Sequence, residues 1–293
     1  MKKKMIYALG FFDGVHLGHQ ALLETCVELA KKQNMRPGAI TFEKHPQSLF
    51  TPTPPPLINT DADRDRLLQQ WGMEYVRKLP VTKEVMSTDW LTFLHQLLQE
   101  GAGGFVCGAD YRFGRGGEGD AQKLAQFCNE KGLPCVVVSD QLLDGIRVSS
   151  THIRSLLEAG EMAQAVRFLG HPHMLSGTVI AGRGLGHTIG IPTANLELPR
   201  SLVCPRLGVY ACTAEVEGNS YPAVTNIGSR PTVGGHHITV EPWLLDFSGD
   251  LYGKPLILHF HKFLRPEEKF ETLEALRTQI QRDAAEAYKH IRR

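Results

Sequence analysis

The sequence has no long hydrophobic run and no excess of charge of one sign. None of the apolar stretches in its 293 residues approaches the ~20 residues that cross a bilayer. Its 32 Lys and Arg residues nearly cancel 31 Asp and Glu residues, which leaves a formal charge of +1. A nearly neutral chain without a stripe of basic and aromatic residues is a poor match for nucleic acid or anionic lipid. We therefore predict neither a nucleic-acid nor a membrane partner, and no pattern indicates the oligomeric state.

Closely spaced cysteine pairs are also missing. The six cysteines lie at positions 26, 107, 128, 135, 204 and 212, with no CxxC pair among them. This scatter is untypical of a zinc site or a disulfide framework. We expect reduced, mostly buried thiols and therefore a cytoplasmic location.

The chain is long enough for two domains, and its first part alternates strand and helix patterns. Hydrophobic residues make up 42% and charged residues 22% of it, as in an ordinary globular protein. The apolar run Met5–Gly10 and three further runs up to residue 139 are typical of buried parallel strands. This order predicts a Rossmann-like, doubly wound α/β domain over residues 1–170. Ligands on such sheets bind at the carboxyl ends of strands, where we expect Gly10, Phe42 and Gly108.

The pattern changes after residue 170. From Gly177 to Phe263 the chain predicts short strands separated by Gly, Pro and Asn, without helix-length periodicity. We therefore predict a second domain, residues 171–293, that is an antiparallel β-barrel or sandwich with a helix at its C-terminal end. Pro266 is expected to begin this helix. Its apolar face would carry Phe270, Leu273, Leu276 and Ile280.

The segment Gly10–His19 reads GFFDGVHLGH and has the composition of a phosphate-binding turn. Its glycines let the backbone approach a ligand, and a helix start offers free amides and a partial positive charge. His16 and His19 are three residues apart, so they share one face of the first helical turn. We predict that both histidines are catalytic and stabilise charge on phosphates. The predicted ATP contacts from this segment are Gly10, Phe12, Asp13, Gly14 and Gly18.

A second segment, Ser149–Arg154, reads SSTHIR and repeats this arrangement. Its hydroxyls stand at a helix start, and we predict that Ser149, Ser150 and Thr151 bind ATP. Arg154 lies one turn further on, and we predict that its guanidinium holds the leaving pyrophosphate as a catalytic group. Together the two segments indicate adenylyl transfer, in which a nucleophile attacks the α-phosphorus of ATP. The alternative for the histidines is the polar helix start of an ordinary α/β protein.

The second half contains the glycine cluster Gly182–Gly186, followed by the segment Gly190–Asn195 (GIPTAN). No Gly-Lys-Ser/Thr follows, so this is not a Walker A loop, and a bare glycine cluster is typical of a hairpin turn. Thr193 and Asn195 would share one face of a strand, and their oxygens suit Mg²⁺ that carries ATP phosphates. We therefore predict Mg²⁺ as the cofactor, with both residues as ligands. The predicted ATP contacts here are Gly182, Gly184, Gly186 and Thr193.

Taken together, these motifs resemble the bacterial bifunctional riboflavin kinase/FAD synthetase family over nearly the whole chain. In the first half the resemblance also includes Thr41–Pro46 (TFEKHP), Gly108–Gly114 (GADYRFG) and Gly117–Asp120 (GEGD). It implies an FMN adenylyltransferase domain in which the first two of these segments face FMN. Aromatic rings can stack on an isoalloxazine, and a carboxylate can accept its hydrogen bonds. The flavin contacts so implied are Phe42, His45, Pro46, Asp110 and Phe113, and core packing is the alternative role of the aromatic residues.

In the second half the resemblance is to a riboflavin kinase module. It continues through Gly208–Tyr210, Asn226–Thr232, Val240–Glu241, Leu244–Phe247 and Asp250–Gly253. It implies that Thr193 and Asn195 hold Mg-ATP and that Glu241 is the general base for the riboflavin 5′-hydroxyl. Arg265 is expected to contact the flavin or, alternatively, only to cap the barrel. The implied substrates and products are riboflavin, ATP, FMN and FAD. Riboflavin is phosphorylated to FMN, and AMP is then transferred to FMN with release of pyrophosphate.

Four positions depart from the family's pattern. His187 stands where an arginine is usual, and Val233 stands where a phenylalanine is usual. Pro242 follows Glu241 and removes a strand donor, which favours an edge or a bulge. Phe11 replaces a smaller or polar residue. None of the four replaces a residue assigned to catalysis, so we expect an effect on the efficiency of the kinase rather than on its existence.

Two other functions fit part of the sequence. A nucleotidyltransferase for another phosphorylated substrate would share the histidine pattern but leave Thr193, Asn195 and Glu241 unexplained. A β-barrel that binds flavin as a sensor would keep the pocket and lose the chemistry. ATP consumption coupled to flavin phosphorylation separates both from the favoured hypothesis.

Overall fold

The computed structural model describes residues 3–181, 190–232 and 235–291. The chain divides into two compact units, Met1–Leu57 with Asp61–Ser150, and Ile58–Thr60 with Thr151–Arg293. This grouping assigns residues 151–170 to the second unit. The domain boundary at residue 170 stays a prediction.

The first unit is built on a parallel sheet with helices packed against it. Its strands are β1 (Met5–Leu9), β2 (Arg36–Phe42), β3 (Tyr75–Leu79), β4 (Ala102–Gly108), β5 (Arg112–Phe113), β6 (Gly119–Asp120), β7 (Cys135–Val138), β8 (Leu142–Leu143) and β9 (Ile146–Arg147). Its helices are α1 (Leu17–Lys32), α2 (Asp61–Gln70), α3 (Lys83–Met86), α4 (Trp90–Gln99) and α5 (Ala121–Glu130), and a short 3-10 helix covers Pro46–Leu49. The main sheet has the order β3-β2-β1-β4-β7, and β5-β6 and β8-β9 form two small antiparallel pairs.

The central strand β1 explains why this half of the sequence folds as predicted. All five of its residues are buried, as expected for a parallel strand that is covered on both faces. It pairs in parallel with β2 and β4, with Leu9 opposite both Ile40 and Cys107. The three strands therefore end together, and Gly10, Phe42 and Gly108 line one cleft at their carboxyl ends. This placement confirms the prediction.

The second unit begins within helix α6 (Ser150–Ala159) and continues with α7 (Met162–Leu169). Its strands are β10 (His173–Thr178), β11 (Leu196–Glu197), β12 (Gly208–Val216), β13 (Asn219–Thr232), β14 (Gly235–Leu244) and β15 (Pro255–Arg265), and a last helix is α8 (Leu273–Ile291). One antiparallel sheet contains all six in the order β10-β15-β12-β13-β14-β11. Its ends approach each other, because the Ile180 amide donates to the Asn195 carbonyl at 2.9 Å. The sheet is therefore a nearly closed barrel, as predicted.

Helix α8 packs against the middle strands of this sheet. Ala284 and Ala287 of the helix belong to the same buried cluster as Val209, Ala211 and Val224 of strands β12 and β13. Small side chains on the helix let its axis approach the sheet closely. The packing thus fixes α8 beside the strands that carry the second candidate site.

Three details of the barrel differ from the sequence-based expectation. The strands are long rather than short, with 9 residues in β12 and 14 in β13. Residues 191–195 form no regular strand, so the predicted strand at Thr193 and Asn195 is wrong. The last helix begins at Leu273 rather than at Pro266. The reason is Thr272, whose hydroxyl accepts the Ala275 amide at 3.1 Å and caps the helix start.

Candidate active sites

The loop between β1 and α1 has a backbone that ordinary residues rarely adopt. Gly14 has a φ angle of 84°, and the non-glycine residues Phe12 and Val15 have φ angles of 58° and 40°. Both of these side chains are fully buried, so packing holds the left-handed conformation in place. The loop leads directly into helix α1, whose first amides therefore begin at the cleft.

His16 and His19 lie on one face at this helix start, as their spacing predicted. The Nδ1 atom of His16 accepts the backbone amide of His19 at 3.3 Å, so His16 caps the helix. The two imidazole rings stack with centroids 3.7 Å apart and planes 14° apart. A Cβ atom on Gly18 would come within 3.2 Å of the His16 ring. Glycine between the histidines thus allows the stacked arrangement.

His19 is uncharged at neutral pH. Burial first, and then the neighbouring His16 and the positive charge of Arg64, hold the pKa of His19 well below its ordinary value. Its ring edge contacts Phe12, with centroids 5.3 Å apart. A neutral imidazole presents one N–H donor to a ligand and does not act as a cation.

The two sequence motifs meet in the first unit. The hydroxyl of Ser150 donates to the backbone carbonyl of Asp13 at 2.8 Å, across 137 positions of sequence. A cleft of about 390 Å³ lies at this junction. Its lining includes Gly10, His16, Gly18, His19, Ser149 and Ser150. The structure therefore brings together six of the residues predicted for adenylyl transfer.

Other predicted nucleotide contacts lie differently. Thr151 and Arg154 belong to helix α6 but group with the second unit, so their predicted roles stay predictions. The Phe12 and Asp13 side chains are buried, at 0% and 3% exposure. The Phe12 ring packs under Gly10, where an added Cβ would meet it at 3.1 Å. Neither Phe12 nor Asp13 lines the cleft, so their predicted ATP contacts stay predictions.

Three of the five flavin residues predicted in this unit, Phe42, Pro46 and Asp110, line the same cleft, whereas His45 does not. Phe42 and Pro46 line both the main cleft and a second pocket of about 200 Å³. Tyr111 and Phe113 stack there with ring centroids 5.5 Å apart. Phe113 also belongs to the buried core of the unit, so core packing and pocket lining coincide in this residue.

Two of these residues are held by neighbours. Asp110 lines the cleft and pairs with Arg147, at 2.5 Å between Oδ2 and Nη2. Arg147 also pairs with Asp140 at 3.0 Å, so one cation lies between two carboxylates at the cleft. The His45 ring accepts the Gln47 amide at 3.2 Å and caps the 3-10 helix. His45 contacts the Phe11 ring edge-on at 5.1 Å.

The second unit has a cavity of about 320 Å³ between its sheet and helix α8. Three predicted site residues, Thr193, Glu241 and Arg265, line it together. The apolar face predicted for the last helix lines it as well, with Phe270, Leu273, Leu276 and Ile280. The cavity therefore combines an apolar lining with a few charged and polar side chains, which suits a flat, largely aromatic ligand with a polar tail.

Strand register fixes the position of Glu241. It stands directly opposite Asn226 on the β13–β14 ladder, so both side chains lie on the same face and both line the cavity. The Thr239 hydroxyl, two residues earlier on that face, donates to Glu241 Oε1 at 2.9 Å. Pro242 does not interrupt the pairing of β14 with β13, because the register continues through it without a bulge. Its carbonyl accepts the Ala194 amide, so its nitrogen faces away from β13, where no ladder donor is needed.

Arg265 is held by an acidic partner that the sequence did not indicate. Its guanidinium makes three hydrogen bonds to the Asp283 carboxylate, at 2.8 to 3.1 Å. The Asp283 side chain is 5% exposed, and Gln279 donates to it at 3.0 Å. The guanidinium also lies 5.7 Å from the centre of the Phe270 ring. Arg265 therefore faces the cavity with a fixed orientation.

The predicted metal ligands lie in the irregular segment before β11. Thr193 lines both the cavity between the sheet and helix α8 and a neighbouring cavity of about 550 Å³. Asn195 is 8% exposed, and its Oδ1 atom has no hydrogen-bond partner within the described residues. Predictions for Gly182, Gly184 and Gly186 lie outside the described residues, as do the departures at His187 and Val233.

Sequence reasoning missed Arg147, Arg64 and Asp283. Arg147 had a usable signal, because Asp144-Gly145 is a strong hairpin turn and the φ angles there are 54° and 77°. This hairpin brings Arg147 back toward the cleft. Asp283 also had a signal, because an acidic residue three positions after Ile280 falls on the apolar face of the predicted helix. Nothing in the local pattern distinguished Arg64 from a surface arginine.

Comparison with known proteins finds one family in each half of the chain. A family model described as FAD synthetase matches residues 1–152, and one described as riboflavin kinase matches residues 169–291. The bifunctional riboflavin kinase/FMN adenylyltransferase of Pseudomonas fluorescens is 37% identical over 96% of this chain and 91% of that protein. The Bacillus subtilis protein of the same name is 32% identical over 98% and 93% of the two chains.

A solved structure has the same overall fold. It is a crystal structure from Streptococcus pneumoniae titled as a macrolide-efflux protein, with a TM-score of 0.88 and 28% identity over 98% of this chain and 95% of that one. The efflux activity in that title is a statement about that protein. Among the residues that our structure describes, no helix has the length and apolar character needed to span a membrane.

Fold, sites and relatives thus define an ATP-dependent transferase with a nucleotidyltransferase unit and a barrel kinase unit. The chain belongs to the bifunctional riboflavin kinase/FMN adenylyltransferase family. It phosphorylates riboflavin with ATP to give FMN, and it transfers AMP from ATP to FMN to give FAD and pyrophosphate. Riboflavin, FMN, FAD and ATP are therefore its substrates and products.

Proposed function

We propose that the cleft of the first unit carries adenylyl transfer and that the cavity of the second unit carries riboflavin phosphorylation. The observation that most supports the first assignment is the hydrogen bond from Ser150 to the Asp13 carbonyl. It joins the two predicted nucleotide segments around one cleft with stacked histidines. Support for the second is the common cavity of Thr193, Glu241 and Arg265.

In the first cleft the chemistry needs charge stabilisation and positioning. An FMN phosphate oxygen attacks the α-phosphorus of ATP, and negative charge grows on the phosphate oxygens as pyrophosphate leaves. His16 and His19 stand at a helix start, where backbone amides and the helix dipole favour that charge. Because His19 is neutral, its part is to donate a hydrogen bond. We assign the cationic role toward pyrophosphate to Arg154.

In the second cavity the chemistry needs a base. The carboxylate of Glu241 takes the proton of the riboflavin 5′-hydroxyl while that oxygen attacks the γ-phosphorus of ATP. The hydrogen bond from Thr239 orients this carboxylate. Arg265, fixed by Asp283 beside Phe270, is assigned to the flavin. The apolar face of α8 excludes water from the same space.

Enzymes of these ATP-using families typically need a divalent metal, and the residues present fit one. The Oδ1 atom of Asn195 is buried and has no hydrogen-bond partner in the part of the chain that the structure describes, and it would hold Mg²⁺ together with the Thr193 hydroxyl. When bound, Mg²⁺ neutralises charge on the ATP phosphates. The described residues contain no group of three or more His, Cys, Asp or Glu suited to a metal. This agrees with a magnesium ion that is held largely by phosphates and water.

The cytoplasmic location predicted from the cysteine pattern belongs to the same proposal. All six cysteines are thiols outside disulfides, and four of them are buried. That state is typical of proteins in a reducing compartment.

Glu241→Gln tests the assignment of the kinase site. The amide cannot take a proton, so we expect FMN formation from riboflavin to fall about 10³-fold, within the range for a lost general base. FAD formation from supplied FMN should stay within twofold of the parent enzyme. The measurement is chromatography of flavins over time, with Glu217→Gln in the exposed β12–β13 turn as the matched control. A loss of both activities by the same factor would show that the two activities do not have separate sites.

A further inference from the structure

Arg64 of helix α2 is a buried cation. The residue is 3% exposed, and its Nε atom has no hydrogen-bond partner among the described residues. Its carboxylate partner Asp61, at 2.6 Å, is itself half exposed and also pairs with Lys78 at 2.5 Å. A buried charge that is incompletely paired is costly to the fold. Stability alone therefore gives no reason for an arginine at this position.

The guanidinium of Arg64 connects the two loops that form the cleft. Its Nη2 donates to the Phe42 carbonyl at 2.7 Å, at the end of strand β2. Its Nη1 donates to the Phe11 carbonyl at 3.3 Å, in the loop after strand β1. The Thr41 hydroxyl donates to the same Phe11 carbonyl at 2.9 Å. One side chain thus fixes the distance between the nucleotide loop and the segment assigned to the flavin.

Arg64 also holds a side chain that lines the cleft. Its guanidinium carbon lies 4.9 Å from the centre of the Phe11 ring, within cation–π distance. The Phe11 ring is also in contact with the His45 ring, in an edge-on geometry. Phe11 is one of the four positions where this chain departs from the family's pattern. The contact therefore gives a physical account of that departure.

We infer that Arg64 is a positioning residue for adenylyl transfer, which sets the geometry of Phe11 and Phe42 where the adjacent strands β1 and β2 end at the cleft. It does not line the cleft, so it acts through these two residues and not on the substrate. The inference depends on the proposal that the first unit carries the adenylyl-transfer step.

A pH profile gives a readout that a purely structural role would not change. The charges that face Arg64 are Asp61 on its own helix and, through Asp61, Lys78 on β3. The charged or titratable groups that act on His19 are His16 and Arg64. Arg64 lowers the pKa of His19, so removing its positive charge should raise that pKa. Because the proposed role of His19 needs the neutral imidazole, the rate of FAD formation should begin to fall at a higher pH on the acidic side of its pH profile.

The test compares Arg64→Met, Arg64→Lys and the matched control Arg66→Met, an exposed arginine on the same helix. For Arg64→Met we expect kcat/KM for FAD formation from FMN to fall about 30-fold, because small displacements of reacting groups have large effects. Riboflavin phosphorylation by the same variant should stay within twofold. Arg64→Lys retains the charge but not the two-pronged bridge, so it should restore the pH profile and only part of the rate.

Two results would overturn the inference. One is FAD formation by Arg64→Met within twofold of the parent enzyme and of Arg66→Met. The other is an equal loss of both activities, which would indicate a general loss of folding. His19→Ala separates this inference from the proposal beneath it. If His19→Ala leaves FAD formation intact, the assignment of the cleft itself is wrong, whereas a loss in His19→Ala without a loss in Arg64→Met refutes only the role of Arg64.

Discussion

The two sites are held in place by different means. The first lies on a loop whose backbone is left-handed at Phe12, Gly14 and Val15, and a hydrogen bond from Ser150 links its two motifs. The second lies on paired strands, where register puts Glu241 opposite Asn226. A loop and a helix start present amides to an anion, whereas a strand face presents side chains in fixed rows. Each support suits the chemistry that we propose for it, because adenylyl transfer needs stabilised charge and riboflavin phosphorylation needs a base that removes a proton.

The two sites also differ in the charged side chains that they contain. The first cleft has neutral His19 and an arginine shared between two carboxylates. The second cavity has Glu241, Glu267, Glu268 and Asp283 with Arg265. In the proposed assignment, FMN reaches the first cleft already carrying its phosphate, while riboflavin reaches the second as a neutral alcohol. The comparison therefore predicts that each site can be disabled without loss of the other.

The largest effect should follow from combining His19→Ala with Thr151→Ala. Loss of two hydrogen-bond donors assigned to the phosphates should lower FAD formation from FMN about 10³-fold. FMN formation from riboflavin should be unchanged, because no residue of the barrel cavity is altered. Flavin chromatography with saturating FMN measures FAD formation, and His95→Ala on the exposed face of α4 is the control. Unchanged FAD output would refute the role assigned to these residues.

Asp283→Asn should give the next largest effect, confined to the other site. The amide loses the charge that pairs with Arg265, so the KM for riboflavin should rise about tenfold, equivalent to about 1.4 kcal/mol of binding. Breaking this buried pair should also lower the free energy of unfolding by about 3 kcal/mol. Initial rates at varied riboflavin check the first, and urea unfolding checks the second. Glu274→Gln, exposed on the same helix, is the control; a KM equal to that of the parent would mean that Arg265 only caps the barrel.

The smallest effect concerns stability at acidic pH. His173 on β10 is 3% exposed, and burial, followed by the nearby His171, lowers its pKa to about 3. Between about pH 6.5 and pH 3 the unfolded chain binds a proton at His173 that the folded chain does not bind, so stability falls as pH falls. From pH 7 to pH 5 this contributes a loss of about 2 kcal/mol.

His173→Gln removes that contribution. The difference in unfolding free energy between pH 7 and pH 5 should therefore shrink by about 2 kcal/mol, whatever the stability of the variant at pH 7. Urea unfolding followed at both pH values measures the difference. An unaltered difference would mean that His173 is protonated in the folded protein at pH 5.

Much of both sites could be predicted because local patterns carried it. Periodicity identified β1, and the glycine and histidine spacing identified the helix start at His16. Parallel strands then had to end together, which placed Gly10 beside Phe42 and Gly108. The glutamate at position 241 needed the family resemblance, since a strand glutamate alone is usually a surface residue.

What could not be predicted depends on contacts between distant parts of the chain. Arg64 connects Phe11 with Phe42, and Asp283 pairs with Arg265. Helical spacing marks Asp283 as a residue of the apolar face, but no local pattern indicates the partner in either case. The long barrel strands were missed because Pro222 and Pro242 read as breaks. Both prolines stand where the ladder with the neighbouring strand needs no N–H donor, a fact that only the register shows.

The most direct test of separate sites is a mixing experiment. Glu241→Gln and the combined His19→Ala and Thr151→Ala protein are each supplied with riboflavin, Mg²⁺ and ATP, alone and together, and FAD is measured by chromatography. Each protein alone should form almost no FAD, the first for lack of FMN and the second for lack of adenylyl transfer. The mixture should form FAD, since FMN made by one protein reaches the intact cleft of the other. FMN accumulating in the mixture without FAD would contradict the account.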